Sequence, residues 1–302
     1  MKAKTIKAIL YKKVNDWLKS IEDESLREEL KKKVIVTGGC IASMLLREKV
    51  NDYDIYLRDR EITIRLAEYY LKQFQAPKFK DGRETTMYVE TAFKDRVKIH
   101  VKSAGIASEE GDEGYQYFEG LDDAQSVQTD EYIENVMSGI DHDEDDKPSY
   151  RPVFISSNAI TLSDRVQIII RFYGEPDEIH NNYDFVHCMN YWTSWDNELV
   201  LRPKALEALL TKELRYVGSL YPLTSIIRTK KFILRGWTIN AGQYLKMVMQ
   251  LNALDLNDVK VLEDQLVGVD VAYFLEVISK LKDKDPDRVD NAYLTQIIDK
   301  MF

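Results

Sequence analysis

The sequence predicts an α+β protein, a mixed sheet with flanking helices followed by an α-helical C-terminal domain. Three observations predict it. Short β-branched runs, ended by Gly-Gly or by Asp-containing turns, recur through the first two hundred or so residues. Stretches with apolar residues at helical spacing lie before and between those runs. From Pro203 onward the helical spacing dominates. On this reading residues 1–202 form one domain, interrupted by an acidic insertion at about 107–149, and residues 203–302 form a second.

Taken in order, Ile6, Ile9, Leu10, Val14 and Leu18 make a helical stripe, and Asp23-Glu24-Ser25 offers a cap for a second helix over LREELKKK. Val34–Thr37 has the composition of a buried strand. Gly38-Gly39 ends it, and Cys40–Arg47 reads as a short helix with Ile41, Met44 and Leu45 on one face. Asp52–Leu57 is the next strand, on which Asp52 and Asp54 share a face and Tyr53 and Ile55 take the other. An amphipathic helix over Glu61–Phe74 covers it. Thr86–Phe93 and Arg96–Lys102 predict a hairpin about Lys94-Asp95, and Val153–Leu162 and Arg165–Phe172 predict another through Ser163-Asp164. Gly174, Pro176 and Asp177 are turn residues, and Tyr183–Met189 reads as a further strand. Pro203 opens a helix through KALEALLTKELRYVG, and Pro222 opens another. The last helices fall at roughly 256–265, 270–282 and 288–301.

The chain has 302 residues, 44% of them hydrophobic and 31% charged, the profile of a soluble globular protein. No apolar run reaches the length of a membrane span, and the N-terminus lacks the apolar core of a secretory signal. Cys40 and Cys188 are the only cysteines, so no disulfide framework is expected and a reducing cytoplasm fits. The net charge of −9 comes from one segment. Residues 109–146 hold fifteen acids and no Lys or Arg, and the remainder, with 36 acids against 42 bases, carries about +6 and can hold a phosphate backbone. Within that segment the run DHDEDD at 141–146 reads as a solvated acidic loop in preference to a metal site, because consecutive carboxylates lack the geometry of a cation loop. Residues 130–138 read as partly helical.

The chemistry concentrates at 34–57. Two carboxylates on one face of a strand repel, and a divalent cation such as magnesium, which prefers carboxylate and phosphate oxygens, relieves the repulsion. The Gly-Gly backbone can approach a triphosphate, with the following helix N-terminus aimed at the anion. This order of strand, Gly-Gly, twelve residues including a helix, and Asp-x-Asp on a neighbouring strand resembles the signature of the DNA polymerase beta-type nucleotidyltransferase superfamily. Poly(A) polymerases and CCA-adding enzymes belong to that superfamily. The matching residues are Gly38, Gly39, Asp52 and Asp54, with Ser43 where a hydroxyl often meets the triphosphate. A Gly-containing loop beside a solvated edge strand is the plainer alternative.

The resemblance implies a third carboxylate on a strand beside Asp-x-Asp. Asp184, between Tyr183 and Phe185 in an apolar run, is the candidate, since an acid there is costly unless paired or bound to metal. Asp164, Glu175, Asp177, Glu178 and Asp196 lie in turns or polar loops, and His187 reads as a packed histidine. Arg228, Lys231 and Arg235 recur on one helical face with Trp237 just beyond, a face that either grips phosphates or is simply solvated. Pro222-Leu223 with Arg228, and Thr238–Ala241, loosely resemble two stretches of CCA-adding enzymes in the opposite order. The whole-chain pattern is similar to phage-encoded nucleotidyltransferase-like proteins.

The resemblance implies that Asp52, Asp54 and Asp184 hold two magnesium ions. Gly38, Gly39, Ser43, Arg228, Lys231 and Arg235 would bind a nucleoside triphosphate, ATP, whose nucleotidyl group passes to an acceptor hydroxyl. The first acceptor is an RNA 3′ end, making RNA a partner. A protein or small-molecule hydroxyl is the second, and a non-catalytic binding protein on the same fold is the third reading.

Overall fold

The computed structural model describes residues 1–74, 85–91, 96–103, 149–155 and 158–256, together with 261 and 265. The expected segments at 107–148, including the acidic run and the 130–138 helix, lie outside the described residues, as do almost all of the last helices.

Two helices open the chain, α1 (Ala3–Ser20) and α2 (Glu24–Leu30). Asp23 caps the second, its Oδ1 accepting the Leu26 N–H at 2.9 Å. Strand β1 (Val34–Thr37) leads through Gly38 into α3 (Gly39–Leu46), and β2 (Tyr53–Leu57) into α4 (Arg60–Gln73). Strands β3 (Thr85–Glu90) and β4 (Lys98–Ser103) pair antiparallel as a separate two-stranded sheet, which confirms the first hairpin.

The second expected hairpin is a three-stranded meander, β5 (Pro152–Ile155), β6 (Ala159–Leu162) and β7 (Val166–Tyr173). The run read as one strand over 153–162 is broken between residues 155 and 159 and doubles back on itself. The Ser163-Asp164 turn is as expected. Asp164 and Arg165 both take left-handed backbone angles, φ 62 and 61, in a three-residue connection, Ser163 to Arg165, between the paired Leu162 and Val166.

The main sheet has seven strands in the order β5-β6-β7-β2-β1-β8-β9, where β8 is Tyr191–Thr193 and β9 is Glu198–Val200. Only β2 and β7 run parallel, so the sheet is mixed, as the sequence predicts. The β8–β9 hairpin was not read from the sequence, because three-residue strands carry too little pattern to show.

All four β1 residues are buried because the strand is central and covered on both faces. Val34 and Val36 face the large core built with Ile6, Leu10, Trp17, Leu66 and Tyr70 of the flanking helices. Ile35 faces the other way, toward Tyr56, Ile179 and Tyr183. Trp17 Nε1 donates to the Tyr70 hydroxyl at 2.8 Å, tying α1 to α4 inside that core. Thus Asp54, one residue from core-facing Ile55 and two from Tyr56, belongs to the face opposite the flanking helices.

Three corrections follow beyond β7. Pro176–His180 is a helix, α5, closed by a reciprocal cap between Glu175 and Glu178, where the sequence was read as a turn. Tyr183–Met189 is not a strand. Asp184 sits at a bend, Phe185 makes one bridge to Tyr216, and Val186–Cys188 is a 3₁₀ turn. The reason is packing: Phe185 and His187 turn away from the sheet into rings of the helical region, with His187 4.3 Å from Trp237 and 4.8 Å from Phe232 by ring centroids. The strand beside β2 on its open side is β7 instead.

The C-terminal part begins with α6 (Pro203–Thr211), ended by a left-handed Lys212 (φ 49) well before the expected Gly218. Then come α7 (Pro222–Leu234) and α8 (Ala241–Leu251). Phe185, Leu209, Leu214, Tyr216, Trp237 and Met247 form their core, and Ala42, Leu45 and Leu46 of α3 pack into it. No helix among the described residues is long and apolar enough to cross a membrane.

His180 and His187 are buried and both have pKa values lowered from 6.5 to about 4, chiefly by burial. The unfolded chain therefore takes up protons on these rings before the folded one does. Their share of stability is intact above pH 6.5 and is lost as pH falls from 6.5 toward 4. We predict that a His187→Phe variant, compared with the unaltered chain by urea unfolding, gains on the order of 2 kcal/mol in relative stability between pH 7 and pH 4.5. A relative stability that does not change with pH would contradict this.

Candidate active site

The site starts from a backbone constraint at Gly38. It caps the N-terminus of α3 with φ 87 and ψ −152, a conformation closed to side-chain-bearing residues. A Cβ placed there would lie 2.6 Å from Asp54 Oδ2 and 3.5 Å from the Tyr183 hydroxyl. Gly38 is thus glycine for two reasons, its backbone angle and the carboxylate pressed against it. Its N–H donates to the Cys188 carbonyl at 3.1 Å, pinning the turn to the 3₁₀ segment. Gly39 differs: a Cβ there meets nothing within 4 Å, so the start of α3 opens onto free space. Ser43 lies one turn up the same helix and is half-buried.

Beneath Gly38, Asp54 sits on β2 between Thr37 of β1 and Gln167 of β7, and Asp52 just precedes the strand. Thr37 is fully buried, its hydroxyl 2.8 Å from His180 Nε2 and 2.9 Å from the Asn190 carbonyl, which fixes the end of β1. Both acids keep a partly exposed edge, yet the surrounding protein strips much of their water. Desolvation raises the Asp54 pKa well above the usual carboxylate value, and the Asp52 charge raises it further. Asp52 is raised as well, first by burial. Arg228 and Lys231 pull Asp54 back toward its charged form, and Lys231 and Arg235 do so for Asp52. The basic face of α7 and its end are therefore near enough to favour the charged form of the acid pair, while Arg228, Lys231 and Arg235 stay exposed to solvent.

Asp184 is 7% exposed and is held twice. Its Oδ2 takes Arg228 Nη1 at 3.1 Å, and its Oδ1 accepts the backbone N–H of Phe185 at 2.9 Å. It stands beside the site and is joined to it through Arg228. Among the described residues, no group of three or more His, Cys, Asp or Glu side chains is spaced to hold one metal ion. The donors that fit a hard divalent cation are the two oxygen-bearing side chains of Asp52 and Asp54, crowded and desolvated on one face. Cys40 and Cys188 are free, and burial pushes both thiols up, so neither is a ready thiolate.

Tyr183 is a residue that sequence reasoning passed over. Its hydroxyl lies at Gly38, its ring stands 6.1 Å from Tyr56, and it also lines a cleft of about 350 Å³. That cleft opens between His180, Asn181 and Met189 on one side and Val217–Leu220 with Gln250 on the other. The only sequence signal was its place next to Asp184.

An α+β fold with a mixed sheet, flanking helices and an Asp-x-Asp pair under a Gly-Gly turn is thus the class of protein described. Residues 8–212 match the family described as Gabija anti-defense 2 family protein, and the chain belongs to that family. A curated relative, Gabija anti-defense 2 of Bacillus phage SPbetaL7, is 23% identical over 123 residues, covering 40% of this chain and 31% of the relative. Among solved structures, a CCA-adding enzyme complexed with CTP is similar at TM-score 0.43 and 15% identity, over 96% of this chain and 49% of that one. The Thermotoga maritima CCA-adding enzyme complexed with tRNA is similar at TM-score 0.41 and 13% identity, over 78% of this chain and 41% of that one. The chain thus spans half or less of these relatives.

The two glycines predict opposite outcomes. Gly38→Ala forces a strained φ and a collision with Asp54, and should cost about 1–3 kcal/mol in denaturant unfolding. Gly39→Ala, in open space at the start of a helix, should be neutral or stabilising by up to about 1 kcal/mol. Equal effects at the two positions would contradict the geometry.

Proposed function

We propose that this protein is a metal-dependent nucleotidyltransferase, which moves a nucleoside monophosphate from a nucleoside triphosphate, ATP, to an acceptor hydroxyl. The observation that carries the reading is the crowded, desolvated Asp52–Asp54 pair pressed against Gly38 and faced by the cations of α7. Asp52 and Asp54 would hold magnesium, which when bound polarises phosphate oxygens and lowers the pKa of a coordinated hydroxyl. The open space at Gly39 and the start of α3, with Ser43 a turn above, would receive the β- and γ-phosphates. Lys231, Arg235 and Arg228 would balance charge on the departing pyrophosphate, and Asp184 holds Arg228 in place for that task. The nucleoside has room in the cleft beside Tyr183.

The bond that forms joins the acceptor oxygen to the α-phosphorus. The bond that breaks is the α–β anhydride, and pyrophosphate leaves with its electron pair. The acceptor proton passes to a carboxylate of the site, Asp52 or Asp54; Asp184, which the sequence suggests for this role, is bonded to Arg228 and to the Phe185 N–H and stands beside the site.

The basic α7 face supports an RNA 3′ end as acceptor. A second reading is favoured by the family's name: an anti-defense protein would modify a hydroxyl on a component of the defence that it opposes. Protein incubated with α-labelled triphosphates, magnesium, total RNA and cell protein separates these readings. Label in RNA supports the first acceptor and label in protein the second. No pyrophosphate from any mixture would overturn the transferase reading. Asp54→Asn should abolish transfer by at least about 10³-fold. Removing a desolvated, raised-pKa acid should at the same time leave metal-free stability unchanged or higher at neutral pH. A variant that stays active would remove Asp54 from the chemistry.

A further inference from the structure

The two strands beside Asp54 place one side chain each next to it on its own face: Thr37 from β1 and Gln167 from β7. In-register neighbours on one face stand about 5 Å apart, within reach of a common ligand. Thr37 is sealed and its hydroxyl is engaged with His180 and Asn190. Gln167 is different. It is half-buried, and its amide makes no hydrogen bond among the described residues. It interrupts an otherwise aliphatic start of β7 in which Val166 and Ile168 turn to the core. Its half-exposed amide is open to a ligand on the face that carries Asp54.

We infer that the Gln167 side-chain oxygen is the third protein ligand to the divalent cation held by Asp52 and Asp54. This rests on the reading of that acid pair as a metal site. The other acid that the sequence offered is occupied, since Asp184 is bonded to Arg228 and to the Phe185 N–H, and no third acid joins the pair among the described residues. Amide oxygen is a hard donor of the kind divalent cations take, but it brings no charge. The site therefore carries two negative charges where three carboxylates would carry three. It binds a bare cation weakly and fills when a triphosphate supplies the missing anionic oxygens.

The test uses the full chain with manganese(II) as the probe, free metal being counted by electron paramagnetic resonance. Gln167→Glu should tighten manganese binding about tenfold or more, and Gln167→Leu should weaken it several-fold. The Glu variant should also melt below the unaltered chain without metal and regain the difference on adding manganese, a signature that a merely structural glutamine would not give. If Gln167→Glu does not fold, the Leu variant decides alone. Asp54→Asn serves as the reference that removes the site. Manganese binding unchanged in both Gln167 variants but lost in Asp54→Asn would overturn the role of Gln167 and leave the acid pair standing. Binding unaffected by Asp54→Asn would overturn the acid pair itself, and this inference with it.

Discussion

Two like charges at the start of one strand, stripped of much of their water, are the condition around which this molecule is arranged. Asp52 and Asp54 raise each other's energy, and desolvation adds to it. Each surrounding feature bears on that cost. Gly38 lacks a Cβ so that Asp54 can lie against the turn, and the left-handed angle at Gly38 starts α3 with its free N–H groups beside the acids. The end of β1 is fixed by Thr37, His180 and Asn190, so the turn cannot drift away from the carboxylate below it. From the other side, α7 brings Arg228, Lys231 and Arg235 over the pair.

The position of α7 depends on contacts outside the site. Arg228 is anchored by Asp184, and the next turn of the helix places Phe232 among Phe185, His187 and Trp237. That cluster is also why the chain after Asp184 abandons the sheet. Phe185 and His187 gain more from aromatic packing against the helical region than a short strand would gain from one more ladder. The same change of direction gives Gly38 its partner, the Cys188 carbonyl. Residues 183–188, with Ala42, Leu45 and Leu46 of α3, thus join the side of the molecule that carries the Asp-x-Asp pair to the helical region.

Much of this was legible from local pattern. The stripes of α1 and α4, the Val34–Thr37 strand and the break after it follow from periodicities of 3.6 and 2 and from the Gly-Gly pair. The meeting of Arg228 and Lys231 with the acids was weighed evenly against solvation, because helical spacing shows which residues share a face but not what that face meets. The sequence marks Asp184 as an acid that needs a partner and sets it on a strand; in the structure its partner is a guanidinium and its setting is a bend. Strand β7 could not be placed beside β2 from sequence, since pairing between residues 53–57 and 166–173 across a long insertion leaves no local trace. For that reason Gln167, an unremarkable residue in the linear chain, became visible only through register. Helix α5 and the β8–β9 hairpin do not show in the sequence because a few residues carry too short a pattern to tell helix from turn or strand from loop, whereas α8, eleven residues long, is legible from Tyr244, Met247, Val248 and Leu251 at helical spacing and was passed over.

The crowded, desolvated acid pair makes a cation at Asp52 and Asp54 the central claim of the proposal. It is tested most directly by anomalous diffraction from crystals grown with manganese and a non-hydrolysable nucleoside triphosphate. The account predicts an anomalous peak about 2.0–2.3 Å from carboxylate oxygens of both Asp52 and Asp54, with triphosphate density running toward Gly39. Bound nucleotide with no peak at the two carboxylates, or a peak held by other side chains, would contradict it.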